Sequence, residues 1–271
     1  VAAETREDVV TLIGGAGEQV SGDIVIGADG RNSIVRQSVG IAVKSWAYEQ
    51  VAVACQFAHS APHDNISTEF HRAAGPLTVV PGAPDASGDA EHVSHLVWIE
   101  TPDVAASLAA LDDAAFSRSL SRHLQGLLGA IGPLGPRGCF PISGAHAQRY
   151  ATDRVILAGE AAHVLPPIGA QGMNLGMRDV LALIELLGPA DVSIADAVQR
   201  YDSARRSDAY VRTTGVDLLN RSLTTRHWPL QALRGAGLHA IGALPALKRA
   251  VISAGFGGGV SPDAQTRGES N

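Results

Sequence analysis

The sequence predicts an α/β protein interrupted by an antiparallel insertion, and three observations carry that expectation. Two distant segments, residues 23–36 and 154–180, each read as a short apolar strand, a Gly-controlled turn and a helix, the alternation that builds parallel sheets. Between them, short apolar and β-branched runs follow one another with no helix intervening, as in an antiparallel sheet. The last third carries mainly helical periodicity. With 271 residues, 45% of them apolar, the chain can build one large domain or two small ones around a sizeable core.

Taken in order, Val9–Ile13 and Val20–Ile26 flank a Gly-rich turn and predict a hairpin. Gly27 to Gly30 form a tight turn, and Asn32 or Ser33 can cap a short helix that begins with Ile34. Strands are predicted at Val51–Phe57, Ser67–Arg72, Leu77–Val80 and His92–Glu100, with turn residues from Pro81 to Asp89. Residues 103–129 predict a helix with Asp112 and Asp113 near a start and Phe116, Leu120, Leu124, Leu127 and Leu128 on one face. Cys139–Ile142 returns to extended chain. Arg154–Ala158 is a buried strand ended by Gly159. Pro166, Pro167, Gly169 and Gly172 shape the next loop, and Met173, Met177, Val180, Leu181 and Ile184 recur at helical spacing. Such a strand–loop–helix unit aims backbone N–H groups and the positive end of a helix dipole at one point, suited to a phosphate or a flat ring carrying negative charge.

Composition excludes several classes. A formal net charge of −6 gives no whole-chain case for nucleic-acid binding. Residues 200–250 hold nine Lys/Arg against three Asp, a local +6, which allows two readings: a solvated helical face, or contact with anionic lipid or a partner. No apolar run is long enough to span a bilayer. Cys55 and Cys139 give no metal spacing, and a disulfide is not expected in a cytoplasmic setting. The spacings of His59, His63, His92 and His95 match no ligand pattern, so no metal is expected. No Ser/His/Asp or Cys/His arrangement points to nucleophilic catalysis.

Two motifs resemble those of the class A flavoprotein monooxygenases, the aromatic-ring hydroxylases. Gly159, Ala161, Ala162, His163, Pro167, Gln171, Gly172, Asn174, Gly176 and the pair Arg178-Asp179 match the family's second flavin-contact motif. Glu160 stands where the family has Asp, and Ala170 where it has the first Gly of Gly-Gln-Gly. Residues Asp23 to Arg36 resemble the family's Gly-Ala-Asp-Gly-x-x-Ser-x-Val-Arg motif. Gly75-Pro76-Leu77, Leu96-Val97-Trp98, Tyr201 with Arg205-Arg206, and Pro245 to Lys248 are similar to segments of the ubiquinone-biosynthesis hydroxylases. The resemblance runs from about residue 9 to 257. The family's opening Gly-x-Gly-x-x-Gly unit has no counterpart: Val20 sits where the third Gly after Gly15 and Gly17 belongs. An N-terminally truncated chain is therefore expected, poorly soluble in isolation because strand edges are left bare.

What the resemblance implies is an FAD/NAD(P)-binding Rossmann-like domain, incomplete at its N-terminus, with an antiparallel-sheet substrate domain and C-terminal helices. Residues 1–42 and 146–257 would form the FAD-binding part with its helices, 43–145 the substrate domain, and 258–271 a disordered tail. Asp29, Gly30, Glu160, Gly169, Ala170, Gln171, Gly172, Met173 and Asn174 are the implied cofactor contacts. Pro167 and Gly172 shape the flavin and oxygen pocket, and no acid–base residue is assigned. His163 is read as packing under the flavin or bonding the loop backbone. The implied reaction hydroxylates an aromatic ring through a flavin C4a-hydroperoxide, with NAD(P)H as reductant and a polyprenyl phenol of ubiquinone biosynthesis as substrate. Two alternatives stand beside it: a hydroxylase of a soluble aromatic compound, and a non-catalytic partner without flavin. The expected location is the cytoplasm, with peripheral contact to the inner membrane or a biosynthetic complex. The oligomeric state is left open.

Overall fold

The computed structural model describes residues 2–6, 8–84, 92–168, 171–188 and 193–224. The chain opens with β1 (Ala2–Arg6), β2 (Val9–Ile13) and β3 (Gln19–Gly22), an antiparallel three-stranded sheet in that order. The hairpin therefore forms, but the strand expected over Val20–Ile26 breaks at Asp23. Its second part, β4 (Val25–Gly27), leaves the hairpin and joins another sheet. After α1 (Ile34–Ser38) comes β5 (Val43–His59), 17 residues long and the spine of the molecule. It belongs to a seven-stranded sheet with β6 (Thr68–Phe70), β7 (Leu77–Gly82), β8 (His92–Glu100), β9 (Ile131–Leu134), β10 (Gly138–Ala147) and β13 (His163–Val164). All its pairings are antiparallel, as consecutive strands without helices require.

The helix expected over 103–129 is two helices, α2 (Pro102–Ala109) and α3 (Asp113–Leu124). The Asp112 side chain accepts from the Ala115 N–H and restarts the chain as an N-cap, and Gln125 ends α3 in the left-handed conformation at φ 51°. Leu127, past that stop, is exposed, whereas Leu128 is buried. Both helices cover one face of the sheet. Val53, Cys55 and Phe57 from β5 and Leu96 and Trp98 from β8 pack there with Leu108, Phe116, Leu120 and Leu124.

The remaining elements form the second core. β11 (Ala151–Thr152), β12 (Val155–Leu157) and β4 make a small sheet in that order, with β12 and β4 parallel. Two helices pack on it: α4 (Gln171–Leu187) and α5 (Ile194–Thr224). Leu157, Leu175, Leu183, Leu186, Val198 and Tyr201 fill the space between. The helix expected from Met173, Met177, Val180, Leu181 and Ile184 forms, and their side chains face outward as an exposed stripe, while Leu175, Asp179, Leu183 and Leu186 face inward. Apolar residues recur on both sides of this helix, so periodicity alone selects neither.

Candidate cofactor site

The site grows from the parallel pair. Val25, Ile26 and Gly27 lie opposite Val155, Ile156 and Leu157, and the Ala158 N–H donates to the Gly27 carbonyl at 2.9 Å. Parallel strands finish at the same edge, so the turns that follow β4 and β12 emerge together, where open α/β sheets hold ligands. Gly30 at φ 81° and Gly159 at φ 61° turn the chain there in a conformation that side chains with a Cβ resist.

Arg36 welds the two turns. It is 8% exposed, and it donates through Nη1 to the Ala161 carbonyl at 2.7 Å and through Nη2 to the Arg31 carbonyl at 3.0 Å. Above it, Arg31 approaches Glu160 at 3.6 Å and donates to Ser143 Oγ on β10 at 3.4 Å. Three segments thus meet at one polar edge. Asp29 serves its own turn: Oδ2 accepts from the N–H groups of Ile34 at 2.7 Å and Val35 at 3.1 Å, and Ser33 then caps α1 through the Arg36 N–H. Burial acts to raise the Asp29 pKa, but hydrogen bonds from Ser33, Val35 and Ile34 outweigh it and hold the carboxyl below its ordinary range.

The second motif continues from Gly159. Glu160 is exposed, with its side chain 58% accessible, at the tip of a 3₁₀ turn over Gly159–Ala161. Pro166 and Ile168 are buried and Pro167 between them is exposed. Gly169 and Ala170 lie outside the described residues. Gln171 opens α4, with Gly172 and Met173 exposed and Asn174 half-buried in its first turn. Beneath the turn, Asp179 is fully buried and accepts from Gly159 N, His163 Nε2 and Arg205. Sequence reasoning assigned no role to Arg31, Arg36 or Asp179. The signal for Asp179 was its place in the motif match at Arg178-Asp179.

The roof is the sheet face opposite α2 and α3. Ala52, Ile99 and Ile142 form a small buried cluster with Tyr48 and Val97 against it. Farther along, the face opens into a groove of about 460 Å³ whose walls include Ala54, His95, Val97, Gly138 and Phe140. Arg137 also lines it, but donates to Asp113 at 3.1 Å and stacks over Phe116. No group of three or more His, Cys, Asp or Glu able to hold a metal ion occurs among the described residues.

A flavin fits these residues. A Cβ built at Gly30, Gly159 or Gly172 would meet nothing within 4 Å, so each glycine borders open space. Glu160, exposed beside Arg31, offers carboxylate oxygens as acceptors for hydroxyl groups, and the first turn of α4 offers positive potential for an electron-rich ring.

A parallel pair with converging turns, a helix N-terminus and an adjoining antiparallel sheet place the chain in the class of FAD-binding domains. The same fold occurs in p-nitrophenol 4-monooxygenase PnpA of Pseudomonas putida, at TM-score 0.68 and 22% identity over 92% of this chain and 63% of that one. It also occurs in HpxO of Klebsiella pneumoniae, solved with FAD and uric acid, at TM-score 0.67 and 22% identity over 87% of this chain and 60% of that one. The chain belongs to the FAD binding domain family, whose model matches residues 3–209. Among curated relatives, ubiquinone hydroxylase UbiL of Rhodospirillum rubrum is 33% identical over 238 residues, 86% of this chain and 54% of that protein. The 3-demethoxyubiquinol 3-hydroxylase of Escherichia coli is 32% identical over 267 residues, 95% of this chain and 65% of that protein. The chain thus spans between about half and two thirds of the length of these two relatives.

Proposed function

We propose that this chain carries the greater part of the site of an FAD-dependent monooxygenase that hydroxylates a polyprenylated phenol, with NAD(P)H as reductant. One observation carries the reading most: Arg36 joins the two motif turns, so residues 130 positions apart in sequence meet at one edge. Asp29 shapes the turn and Gly30 lets the backbone approach the cofactor. Glu160 accepts from hydroxyls of the ribityl chain. The loop and helix start at Gly169, Ala170, Gln171, Gly172, Met173 and Asn174 faces the electron-rich edge of the ring, and Pro167 shapes the space above it. FAD, when bound, supplies electron transfer and oxygen activation; the protein supplies position, electrostatics and a dry pocket.

The substrate class follows from the roof. A soluble aromatic acid needs an accessible cation as its anchor, and Arg137 gives Nη2 to Asp113 and keeps its unpaired Nη1 buried. The apolar groove past Ile142 suits a ring that carries a hydrocarbon tail. No helix among the described residues is long and apolar enough to cross a membrane, so access to such a substrate is read as peripheral contact with lipid or with a biosynthetic complex. The location we propose is accordingly cytoplasmic, at the surface of the inner membrane.

The test is flavin binding and turnover by the purified protein. A saturable yellow complex is expected, with faster NAD(P)H oxidation and product formation from a prenylated phenol than from 4-hydroxybenzoate. Gly172→Val, which puts a branched side chain into the open space, is expected to weaken FAD binding about tenfold or more, the size of one lost well-placed contact. Unchanged flavin content and turnover in both Gly172→Val and Asn174→Asp would refute this arrangement.

A further inference from the structure

Asp179 is a carboxylate with no solvent exposure, two turns into α4 on the side away from the exposed stripe. Three donors converge on it, two from one turn and one from α5. Oδ2 accepts from the Gly159 N–H at 2.9 Å and from His163 Nε2 at 2.8 Å, and Oδ1 accepts from Arg205 Nε at 2.8 Å. Gly159 and His163 are the two feet of the turn that presents Glu160. Arg205 in turn donates to Asp208 at 2.6 Å, and Arg212 donates to Asp208 at 2.8 Å. Burial works to lower the Arg205 pKa, but its bonds to Asp179 and Asp208 prevail and raise it, so the guanidinium stays a fixed cation. With Nε2 donating to the carboxylate, His163 Nδ1 is left buried without a partner. The ring stacks on Tyr150 with centroids 6.0 Å apart.

Apolar packing alone would hold α4 on the sheet without the desolvation cost of a buried acid. What an apolar residue cannot do is fix the direction of a backbone N–H and an imidazole at once. We infer that Asp179 is a positioning residue for the cofactor: it sets the placement of the Glu160 turn relative to the first turn of α4. The two groups proposed to grip FAD at different atoms are thereby held in one frame. This rests on the FAD site proposed above.

Asp179→Asn is isosteric, but its amide NH₂ cannot accept, so at least one of the three donors loses its partner. FAD affinity, read by quenching of flavin fluorescence, is expected to fall about tenfold, the usual size of a lost charge-assisted bond. If Asp179 acts through the turn, its effect on affinity shrinks several-fold in a Glu160→Ala background; a purely structural role gives effects that multiply independently. The cofactor-free protein gives a second readout. Hydrogen exchange at the Gly159 amide is expected to quicken in the variant, and ¹⁵N shifts of His163 in the unaltered protein are expected to show the proton on Nε2. Should Asp179→Asn melt, His163→Phe keeps a ring against Tyr150 and frees one foot only, and a loss of about threefold is expected. FAD binding by the unaltered chain and equally by a folded Asp179→Asn or His163→Phe overturns this inference alone, as do independent effects in the double variant. No FAD binding by the unaltered chain overturns the site proposed above and this inference with it.

Discussion

The seven-stranded sheet and the small parallel pair both bury apolar residues under helices, but the parallel pair adds a set of directional polar links. The large sheet rests on packing: α2 and α3 cover one face, and Trp98, Phe116, Leu120 and Leu124 are almost wholly buried there. The parallel pair has three residues in each strand, and its covering helix turns five apolar side chains outward. Polar links add to the apolar core beneath that helix. Arg36 ties the two turns, Tyr201 donates to the Leu157 carbonyl at 3.0 Å, Asp202 accepts from the Tyr150 N–H at 2.6 Å, and Asp179 gathers three donors. The difference teaches where specificity resides. A hydrophobic core tolerates small shifts, whereas directional bonds fix the atoms that a cofactor must meet.

The sharpest way to break this contrast is at Phe116, buried completely between Trp98 and the Arg137 guanidinium. Phe116→Ala is expected to cost about 3–5 kcal/mol in urea unfolding, the range for a large aromatic removed from a packed core. FAD binding by the protein that remains folded should be unaltered, because no polar link of the cofactor site touches this residue. A cost under about 1 kcal/mol would show that the sheet does not depend on this core.

The same contrast explains what the sequence revealed. The strand at His92–Glu100 and the hairpin at Val9–Ile13 were legible because local alternation and turn residues decide them. Ser33 was legible as a cap because capping is local as well. The buried side of α4 was not, since Met177 and Leu181 read like Leu175 and Leu183 until the neighbours are known. The motif marks Asp29 as a cofactor contact, and what it does not reveal is that Oδ2 also accepts from N–H groups five and six residues on. Asp179 was illegible as a buried residue for a further reason. Its donors come from residues 159, 163 and 205, and no window on the sequence contains them all.

The junction of the two regions offers a finer test. Near its end, α5 reaches the large sheet, where Tyr48 donates to Asp217 at 2.6 Å and accepts from Trp46 Nε1 at 2.6 Å. Burial first, then the bond to Asp217, pushes the Tyr48 pKa up to about 12. A group whose folded pKa is raised stabilises the fold fully below its unfolded value of about 10, and that stability is lost as pH climbs through the folded value. Unfolding free energy should therefore decline between about pH 10 and 12, and Tyr48→Phe should make the decline shallower. Burial also raises Tyr150 and Tyr201, which keep their share in the variant. Identical pH curves for the two proteins would show that the junction adds nothing to the hold between the regions.

The smallest expected effect discriminates most finely between the two modes of construction. Leu181 and Leu183 are two residues apart on α4, one 63% exposed and the other 8%. Leu183→Ala should cost about 2–5 kcal/mol, while Leu181→Ser should stay within about 0.5 kcal/mol, as for surface changes that break no special contact. If Leu181→Ser instead costs as much as Leu183→Ala, the outer stripe is covered in solution. Apolar burial would then extend to the outer face of α4 as well as its inner one, and the polar links would serve position more than stability.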